Sequence, residues 1–521
     1  MELILSSPTV KIFDKSDAVP VITTKCYTNQ SYAFQVVVSG KDGEYPVSVK
    51  SDLSISTFQV KKLKGDLYYE KNVDDFYVYA ADHYYPELLR RTSVAKVNDG
   101  LAVLYFTVDG DKKSGNYDIE IKVGKDKISL NLEVMDGELV PTDLKITNWL
   151  HFDGICAIYN VAPFSDDFYK IFDGFMKAYV SLGNTMALTP LFTPPLDTKV
   201  GGERLTTQLV KVKKVGSKYE FNLSDLDKYI DFCLSHGIKY FELSHIFTQW
   251  GGKFCPKVMA EVNGKDERIF GWDTKSTSRK YKNFIKQFLG ALVPFLKEKG
   301  IFDKCVMHLT DEPTGPHVKR YTYLANFVKK YNGGLPVFDA LSHYDFCKSG
   351  AVDLPVVSIG SSEYHMFNKR DILAYYCCCE HKDYLTNRYF HMPLCRTETL
   401  GVLLYVENVL GFLHWGYNFY NKRWSISVTN PYTDTTAGFD GFPAGDSFLV
   451  YPGETEVEYS IRYFSIKRAF EDYRLLKTLE NKIGRDAVLK IIEESGYKNK
   501  HEYPHDQDYL QKLREKIYSL I

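Results

Sequence analysis

The chain changes its hydrophobic rhythm once, near residue 140. Before that point apolar and polar positions alternate. In "YDIEIKV", Tyr117, Ile119, Ile121 and Val123 alternate with Asp118, Glu120 and Lys122. After "GKDK" the pattern resumes in "ISLNLEV", with Ile128, Leu130, Leu132 and Val134. A period of two around a polar turn predicts a hairpin with one buried and one wetted face. "YAFQVVV" (32–38) and "LAVLYFTV" (101–108) read as further strands. Several short strands without a helical pattern predict an N-terminal all-β sandwich domain over residues 1–140.

From residue 141 the period lengthens. "LSDLDKYIDFCLSHG" places Leu226, Tyr229, Ile230, Cys233 and Leu234 on one helical face. Ser224 is placed to cap its start and Gly237 its end. A strand-like "IKYFELS" follows at once. Eight strands are predicted in all, at 146–152, 185–189, 238–244, 304–310, 336–340, 355–358, 372–376 and 411–415. Helices fall between most of them, including 280–299 and 316–331. Such alternation over residues 141–480 predicts an α/β domain, a (β/α)8 TIM barrel with enlarged loops. An open doubly wound sheet is the other arrangement of this kind, but no G-x-G-x-x-G or Walker sequence favours it. The charged segment 481–521 predicts a C-terminal helical extension outside the barrel.

Composition narrows the partners. With Lys+Arg 65 against Asp+Glu 66, the formal net charge of -1 offers no general attraction for nucleic acid or an anionic membrane. No run approaches the ~20 apolar residues that span a bilayer. "MELILSSPTVKIFDKSD" lacks the basic n-region of a leader, so a cytoplasmic protein is expected. Ten cysteines without a C-x-x-C pair, three of them in the run Cys377 to Cys379, read as reduced and mostly buried thiols. No H-E-x-x-H or close His/Asp cluster is present, so neither a metal nor another cofactor is expected. A homo-oligomer is compatible with the sequence, and no pattern requires one. The 15% aromatic content fits a tyrosine-rich core and equally a surface that stacks on sugars.

Candidate chemistry concentrates in "CVMHLTDEPTG", where an apolar strand runs into Asp311-Glu312 and is broken by Pro313. Residues just past the C-terminal ends of barrel strands face the active-site mouth. Neighbouring side chains point to opposite faces within a strand, but where the strand breaks both can turn into one pocket. The alternative is that the two acids cap the helix begun by "TGPHVKRYTYL", with Pro316 in its first turn. Met307 and His308 read as core.

The other strand ends bring more of the same chemistry to that rim. The first supplies Trp149, His151 and Asp153, and the third His245 and Trp250. The seventh supplies Tyr375, Tyr376 and Glu380, and the eighth His414, Trp415, Tyr417 and Asn418. Carboxylates with aromatic walls suit a carbohydrate: rings stack on its apolar face and polar groups meet its hydroxyls.

"HLTDEP" resembles the Asp-Glu-Pro signature of glycoside hydrolase family 123, the β-N-acetylgalactosaminidases, and of related bacterial proteins carrying the domain of unknown function 4091. "YYCCCE", "GFLHWGYNFY" and "GDSFLVYPG" with "SIRYFSIKRAFEDYRLL" follow in that group's order, so the resemblance covers about residues 140–480. It implies retaining hydrolysis of a β-linked N-acetylgalactosamine without an enzyme nucleophile. The 2-acetamido carbonyl of the sugar itself attacks the anomeric carbon and forms an oxazolinium intermediate, a recognised departure from the two-carboxylate rule. The motif match implies Glu312 as general acid/base and Asp311 as acceptor for the acetamido N–H. An ionised Asp311 is then expected to raise the pKa of Glu312. Tyr376 is implied as donor to the acetamido carbonyl and Trp415 as the pocket floor. Arg396 and His151 are implied as hydroxyl contacts.

Two other readings stand beside this one. A glycosidase acting on a plain sugar would pair Glu312 with a distant Glu242, Glu363 or Glu380. A carbohydrate-binding protein would keep the barrel without turnover.

Overall fold

The computed structural model describes residues 1–66, 73–79, 81–108, 110, 112–375, 382–439 and 441–521. By internal contacts the chain divides into two units. One comprises Met1–Thr142, Cys378–Glu407 and Phe442–Ile521, the other Asp143–Cys377 and Asn408–Gly441.

The first unit holds a seven-stranded and a five-stranded sheet. The hairpin expected from the alternating pattern is present, with Ile119 opposite Leu130 and Ile121 opposite Ile128. Phe34, Val36, Leu104 and Phe106 of the larger sheet join Ile119, Ile121, Leu132 and Val134 of the smaller in one buried cluster. Each such side chain, fully buried, contributes about 1.5–3 kcal/mol of hydrophobic stabilisation. The larger sheet does not end with the N-terminal segment. Its last two strands are Glu458–Ser460 and Val450–Tyr451, with Tyr459 pairing Leu89. The helix Ile461–Ile483 that follows buries Arg462, whose guanidinium donates to Glu87 at 2.7 Å. Residues 442–480, expected within the barrel domain 141–480, group by internal contacts with this unit instead. The helices Arg485–Glu494 and Tyr509–Tyr518 complete this unit.

The second unit is built on eight parallel strands at the predicted places. They are β1 (Lys145–Asn148), β2 (Met186–Thr189), β3 (Tyr240–Leu243), β4 (Cys305–His308), β5 (Val337–Leu341), β6 (Leu354–Ser358), β7 (Leu373–Tyr375) and β8 (Gly411–His414). Sheet order runs β1-β8-β7-β6-β5-β4-β3-β2. Between β1 and β2, the Ile146 N–H donates to Thr185 Oγ1 and the Thr185 N–H to the Ile146 carbonyl, both at 2.9 Å. The strands therefore form a nearly closed barrel. Its interior is a packed cluster that includes Trp149, Met186, Leu188, Val306, Phe338, Val356, Leu373 and Leu413.

Local signals account for the helix Ser224–Ser235. Its N-cap is Leu223 rather than Ser224, and the Ser224 N–H is taken by Asn222 Oδ1 at 2.9 Å. Gly237 closes it at φ 97°, with the Gly237 N–H donating to Leu234 and the Ile238 N–H to Cys233, the paired bonds of a glycine-terminated helix.

The connections after β2 and β3 carry a four-stranded sheet that the periodicity reading did not anticipate, formed by Lys211–Val215, Lys218–Asn222, Val258–Val262 and Lys265–Phe270. Phe221 and Phe270 of this sheet pack on Phe284 of the helix Arg279–Glu298.

Cys26, Cys156, Cys233, Cys255, Cys305, Cys347 and Cys395 are free thiols, and the run Cys377 to Cys379 lies outside the described residues. Among the described residues no helix is long and apolar enough to cross a membrane.

Candidate active site

Strand β4 ends at His308, and the chain turns through Asp311 and Glu312 at the mouth of the barrel. Neither acid caps the following helix. A one-turn 3-10 helix, Gly315–His317, is capped by Thr314 and leads into Val318–Lys329. The acids are held instead through their backbone. The Glu312 N–H donates to the Ala340 carbonyl of β5 at 3.0 Å, and the Asp311 carbonyl accepts the Trp250 N–H at 2.7 Å. Glu312 sits at φ 43°, a left-handed conformation that costs a non-glycine residue roughly 1–3 kcal/mol. Strain of that size is kept where neighbouring elements fix the turn, as Ala340 does here.

Both acids are half-buried. Shielding of the Asp311 carboxyl, followed by the neighbouring charge of Glu312, pushes its pKa well above the ordinary carboxylate range, against the opposing charge of His308. The more distant charges of Asp339 and Glu242 on neighbouring strands add to the shift on Asp311 in the same direction.

Beneath the pair lies a buried ionic group. Glu242 on β3, His308 on β4 and Asp339 on β5 have no solvent exposure. His308 Nδ1 is 2.7 Å from Glu242 Oε1, and His308 Nε2 is 3.4 Å from Asp339 Oδ1, the latter an ion-pair contact rather than a hydrogen bond. Burial works against charging this ring, but the two carboxylates outweigh it and push the pKa up to about 10. Glu242 also accepts the indole N–H of Trp149 at 3.0 Å. It is therefore committed inside the barrel and does not face the mouth.

The remaining predicted residues fall into three groups. Around β8 and β1, the backbone N–H of His151 donates to Asn418 Oδ1 at 2.9 Å, and the Asn418 amide donates back to the His151 carbonyl at 3.0 Å. The His151 ring contacts the Trp415 carbonyl through Nε2 at 2.8 Å. Burial, with the charge of Arg204, pulls its pKa down to about 4, so the ring is neutral and donates there. Trp415 is half-exposed and lies edge-on to Phe419 at 5.1 Å. Asp153 is closed off by Arg204, which donates to both its oxygens at 3.0 and 2.7 Å.

A second group lies at the rim. Trp250 is half-exposed and meets Trp424 edge-on at 5.3 Å. Trp424 lies in the loop after β8, and its N–H donates to Asp197 Oδ2 at 2.8 Å. Asp197, Trp250 and Trp424 all have positive φ, at 37°, 58° and 67°. With Glu312, left-handed residues stand in the connections after β2, β3, β4 and β8. Glu363, after β6, accepts from the Tyr344 N–H at 2.7 Å and meets His343 Nδ1 at 3.1 Å, contacts that hold its pKa down.

The third group does not reach the mouth. His245 is fully buried, with its ring 4.0 Å from that of His308. Tyr375 is buried in the barrel interior. Arg396 belongs to the first unit, where its guanidinium donates to both oxygens of Asp74 at 2.7 and 2.9 Å and to the carbonyls of Leu385 and Phe76. It is an internal anchor there rather than a hydroxyl contact. Tyr376 and Glu380 lie outside the described residues.

Asp339, Asp197, Arg204 and Trp424 were not singled out from sequence. Asp339 alone left a signal, an acid inside the apolar strand "PVFDAL". Among the described residues no group of three or more His, Cys, Asp or Glu side chains is arranged to hold a metal.

The fold has a close counterpart in a family 123 glycoside hydrolase from Clostridium perfringens, described for its hydrolysis of glycolipid glycans. The TM-score is 0.73 at 17% identity, with 99% of this chain and 98% of that chain covered. An FMN-binding beta-glucuronidase from Facaelibacterium prausnitzii aligns over 86% of this chain and 61% of its own at 10% identity, but its TM-score of 0.34 is too low to bear on function. No curated protein matches the sequence. The family model for the glycoside hydrolase 123 catalytic domain matches residues 149–479, a span that takes in all of the barrel from Trp149 and the whole acid turn. The chain belongs to glycoside hydrolase family 123.

Proposed function

We propose that the protein hydrolyses terminal β-linked 2-acetamido sugars, N-acetylgalactosamine in particular, with retention and with the substrate's own acetamide as nucleophile. The observation that carries this reading is the turn at Asp311-Glu312. Two adjacent carboxyls stand at the end of β4, with Thr314 as the cap of the one-turn helix that follows and a left-handed Glu312 held by Ala340. Adjacent acids cannot flank a sugar from opposite faces, as two separated carboxylates do. They can serve one edge of the ring, where the leaving oxygen on C1 and the acetamido nitrogen on C2 are neighbours, while the acetamide carbonyl reaches the anomeric carbon from the face opposite the leaving oxygen.

In the free enzyme, burial and the charge of Glu312 favour a proton on Asp311. The acetamido N–H of a bound sugar needs an acceptor, so its arrival favours ionised Asp311 and leaves the shared proton to Glu312. Glu312 then protonates the leaving oxygen while the acetamide carbonyl attacks the anomeric carbon. Asp311 faces the positive charge that develops on the oxazolinium. In the second half, Glu312 takes a proton from water as it opens that ring, and the cycle closes with both acids restored.

Trp415, Trp250 and Trp424 are half-exposed aromatic surfaces suited to the sugar and its aglycone. The Clostridium relative's description makes glycolipid glycans a reasonable natural class to test.

Glu363 keeps the plain-sugar reading in play, since it is an accessible, ionised carboxylate on the rim. A panel of aryl glycosides separates the two. Cleavage of the aryl 2-acetamido-β-galactoside but not the plain β-galactoside is expected, together with inhibition by a thiazoline mimic of the intermediate. Turnover of the plain galactoside alone would exclude substrate assistance, and binding without any turnover would identify a carbohydrate-binding protein.

A further inference from the structure

The residues on either side of Asp311, Thr310 and Glu312, each have their backbone N–H held by one of two consecutive residues of β5. Asp339 Oδ2 accepts the Thr310 N–H and the Thr310 hydroxyl, each at 2.9 Å. The next carbonyl, that of Ala340, accepts the Glu312 N–H at 3.0 Å. Asp339 Oδ2 takes a third donor, the Tyr321 hydroxyl, also at 2.9 Å. Its other oxygen looks to His308 Nε2 at 3.4 Å, and His308 Nδ1 looks to Glu242 at 2.7 Å. An imidazole with a carboxylate facing each nitrogen, one hydrogen-bonded and one in ion-pair contact, is favoured as the doubly protonated cation. A cation is thus locked into the barrel three residues before Asp311.

A buried ionic triad is a poor way to fill a core, because apolar side chains of equal volume do so as well or better. Its distinctive product is a fixed charge and a fixed backbone, and both are delivered to the acid turn. We propose that Asp339 and His308 are positioning residues of this site, Asp339 fixing the turn that presents Asp311 and Glu312, and His308 supplying the buried positive charge beneath Asp311. This rests on the reading of the acid pair given above.

The groups acting on Asp311 come from three strands: Glu312 from its own turn, His308 from β4, Asp339 from β5 and Glu242 from β3. Three of these are anions and His308 is the cation. His245, beside it, is drawn well below the ordinary histidine range by burial and by the charge of His308, so it does not replace it. Without His308, burial and three carboxylates would keep Asp311 neutral. A neutral Asp311 is a poor acceptor for an amide N–H. His308, held charged by Glu242 and Asp339, is therefore the one neighbour that helps the shielded carboxyl ionise when the substrate's amide reaches it.

The test begins with a measurement that needs no substrate. Protein carrying 13C at the aspartate carboxyls is titrated by NMR, with the Asp311 signal assigned by its loss in Asp311→Asn. In His308→Gln the Asp311 midpoint is expected to rise by about one pH unit or more. An unchanged midpoint in a folded variant overturns the charge role, whether or not an acetamido sugar is cleaved. If His308→Gln does not fold, Thr310→Val and Tyr321→Phe keep all three charges and loosen only the clamp. For these two, kcat on the aryl 2-acetamido-β-galactoside is expected to fall about 10-fold or more with KM within about 3-fold. Equal kcat in both overturns the clamp. If the wild type does not cleave that glycoside, the reading of the acid pair has failed. An Asp311 midpoint unmoved in the two clamp variants then counts against the clamp on its own.

Discussion

Trp250 donates its backbone N–H to the carbonyl oxygen of Asp311 at 2.7 Å, while its ring stands edge-on to Trp424 at 5.3 Å. One residue therefore links the acid turn to the aromatic rim. The two roles are separable, since the first uses the main chain and the second the indole. Trp250→Ala keeps the N–H and removes the ring. An aromatic contact of this kind is worth about 0.5–1.5 kcal/mol, so KM for an aryl 2-acetamido glycoside should rise about 3- to 10-fold with kcat little changed. Steady-state kinetics decide it: a collapse of kcat at unchanged KM would mean that the ring holds the turn rather than the substrate.

The acid pair makes the sharpest kinetic prediction. Glu312→Gln removes the proton donor and should lower kcat by about 10²- to 10⁴-fold while leaving ligand binding measurable by calorimetry. Asp311→Asn should lower kcat and weaken a thiazoline inhibitor together, because its carboxylate faces the charge that the inhibitor imitates. A Glu312→Gln enzyme with full turnover would remove Glu312 from the reaction.

The roles of the two acids come from the resemblance of "HLTDEP" to family 123, whereas their position comes from a strong strand pattern. All eight barrel strands and the place of Asp311-Glu312 at the end of the fourth follow from apolar runs and a proline. What periodicity could not supply was the partner of each side chain. Arg396 lies close to the barrel motifs in sequence, yet its guanidinium is closed around Asp74, more than three hundred residues earlier. His245 follows a strand end like Trp250, but its ring turns inward onto His308. Asp339 reads as one polar letter in an apolar strand, and only folding brings it to Thr310 and His308. The left-handed backbone at Asp197, Glu312 and Trp424 also has no local signal, since none is glycine and each is held by a distant bond.

Arg396 offers a direct check of that distinction. It is fully buried and donates to both oxygens of Asp74 as well as to two carbonyls. Arg396→Met would leave Asp74 uncompensated, at a cost of about 3–5 kcal/mol. Chemical denaturation should report that loss, while kcat/KM per folded molecule stays near the wild-type value at low temperature. A rise in KM with unchanged stability would restore it to the substrate site.

Asp197 supplies a prediction of opposite sign. Burial raises its pKa to about 6, against the Trp424 N–H and the charges of Arg204 and Arg423. In the unfolded chain the same group ionises near 3.9. A folded-state pKa above the unfolded one means that the contribution of this group to stability is full below about pH 4 and is lost as pH rises through 6. Above that point the folded protein carries a charge it holds poorly. Asp197→Asn keeps an oxygen for the Trp424 N–H and removes the charge. It should therefore stabilise the protein at pH 8, by up to about 2–3 kcal/mol for a shift of this size, and make little difference at pH 4. Thermal unfolding at the two pH values measures the difference. A variant less stable at pH 8 than the wild type would show that the Asp197 carboxylate is needed by its cationic neighbours, and that their attraction outweighs the burial.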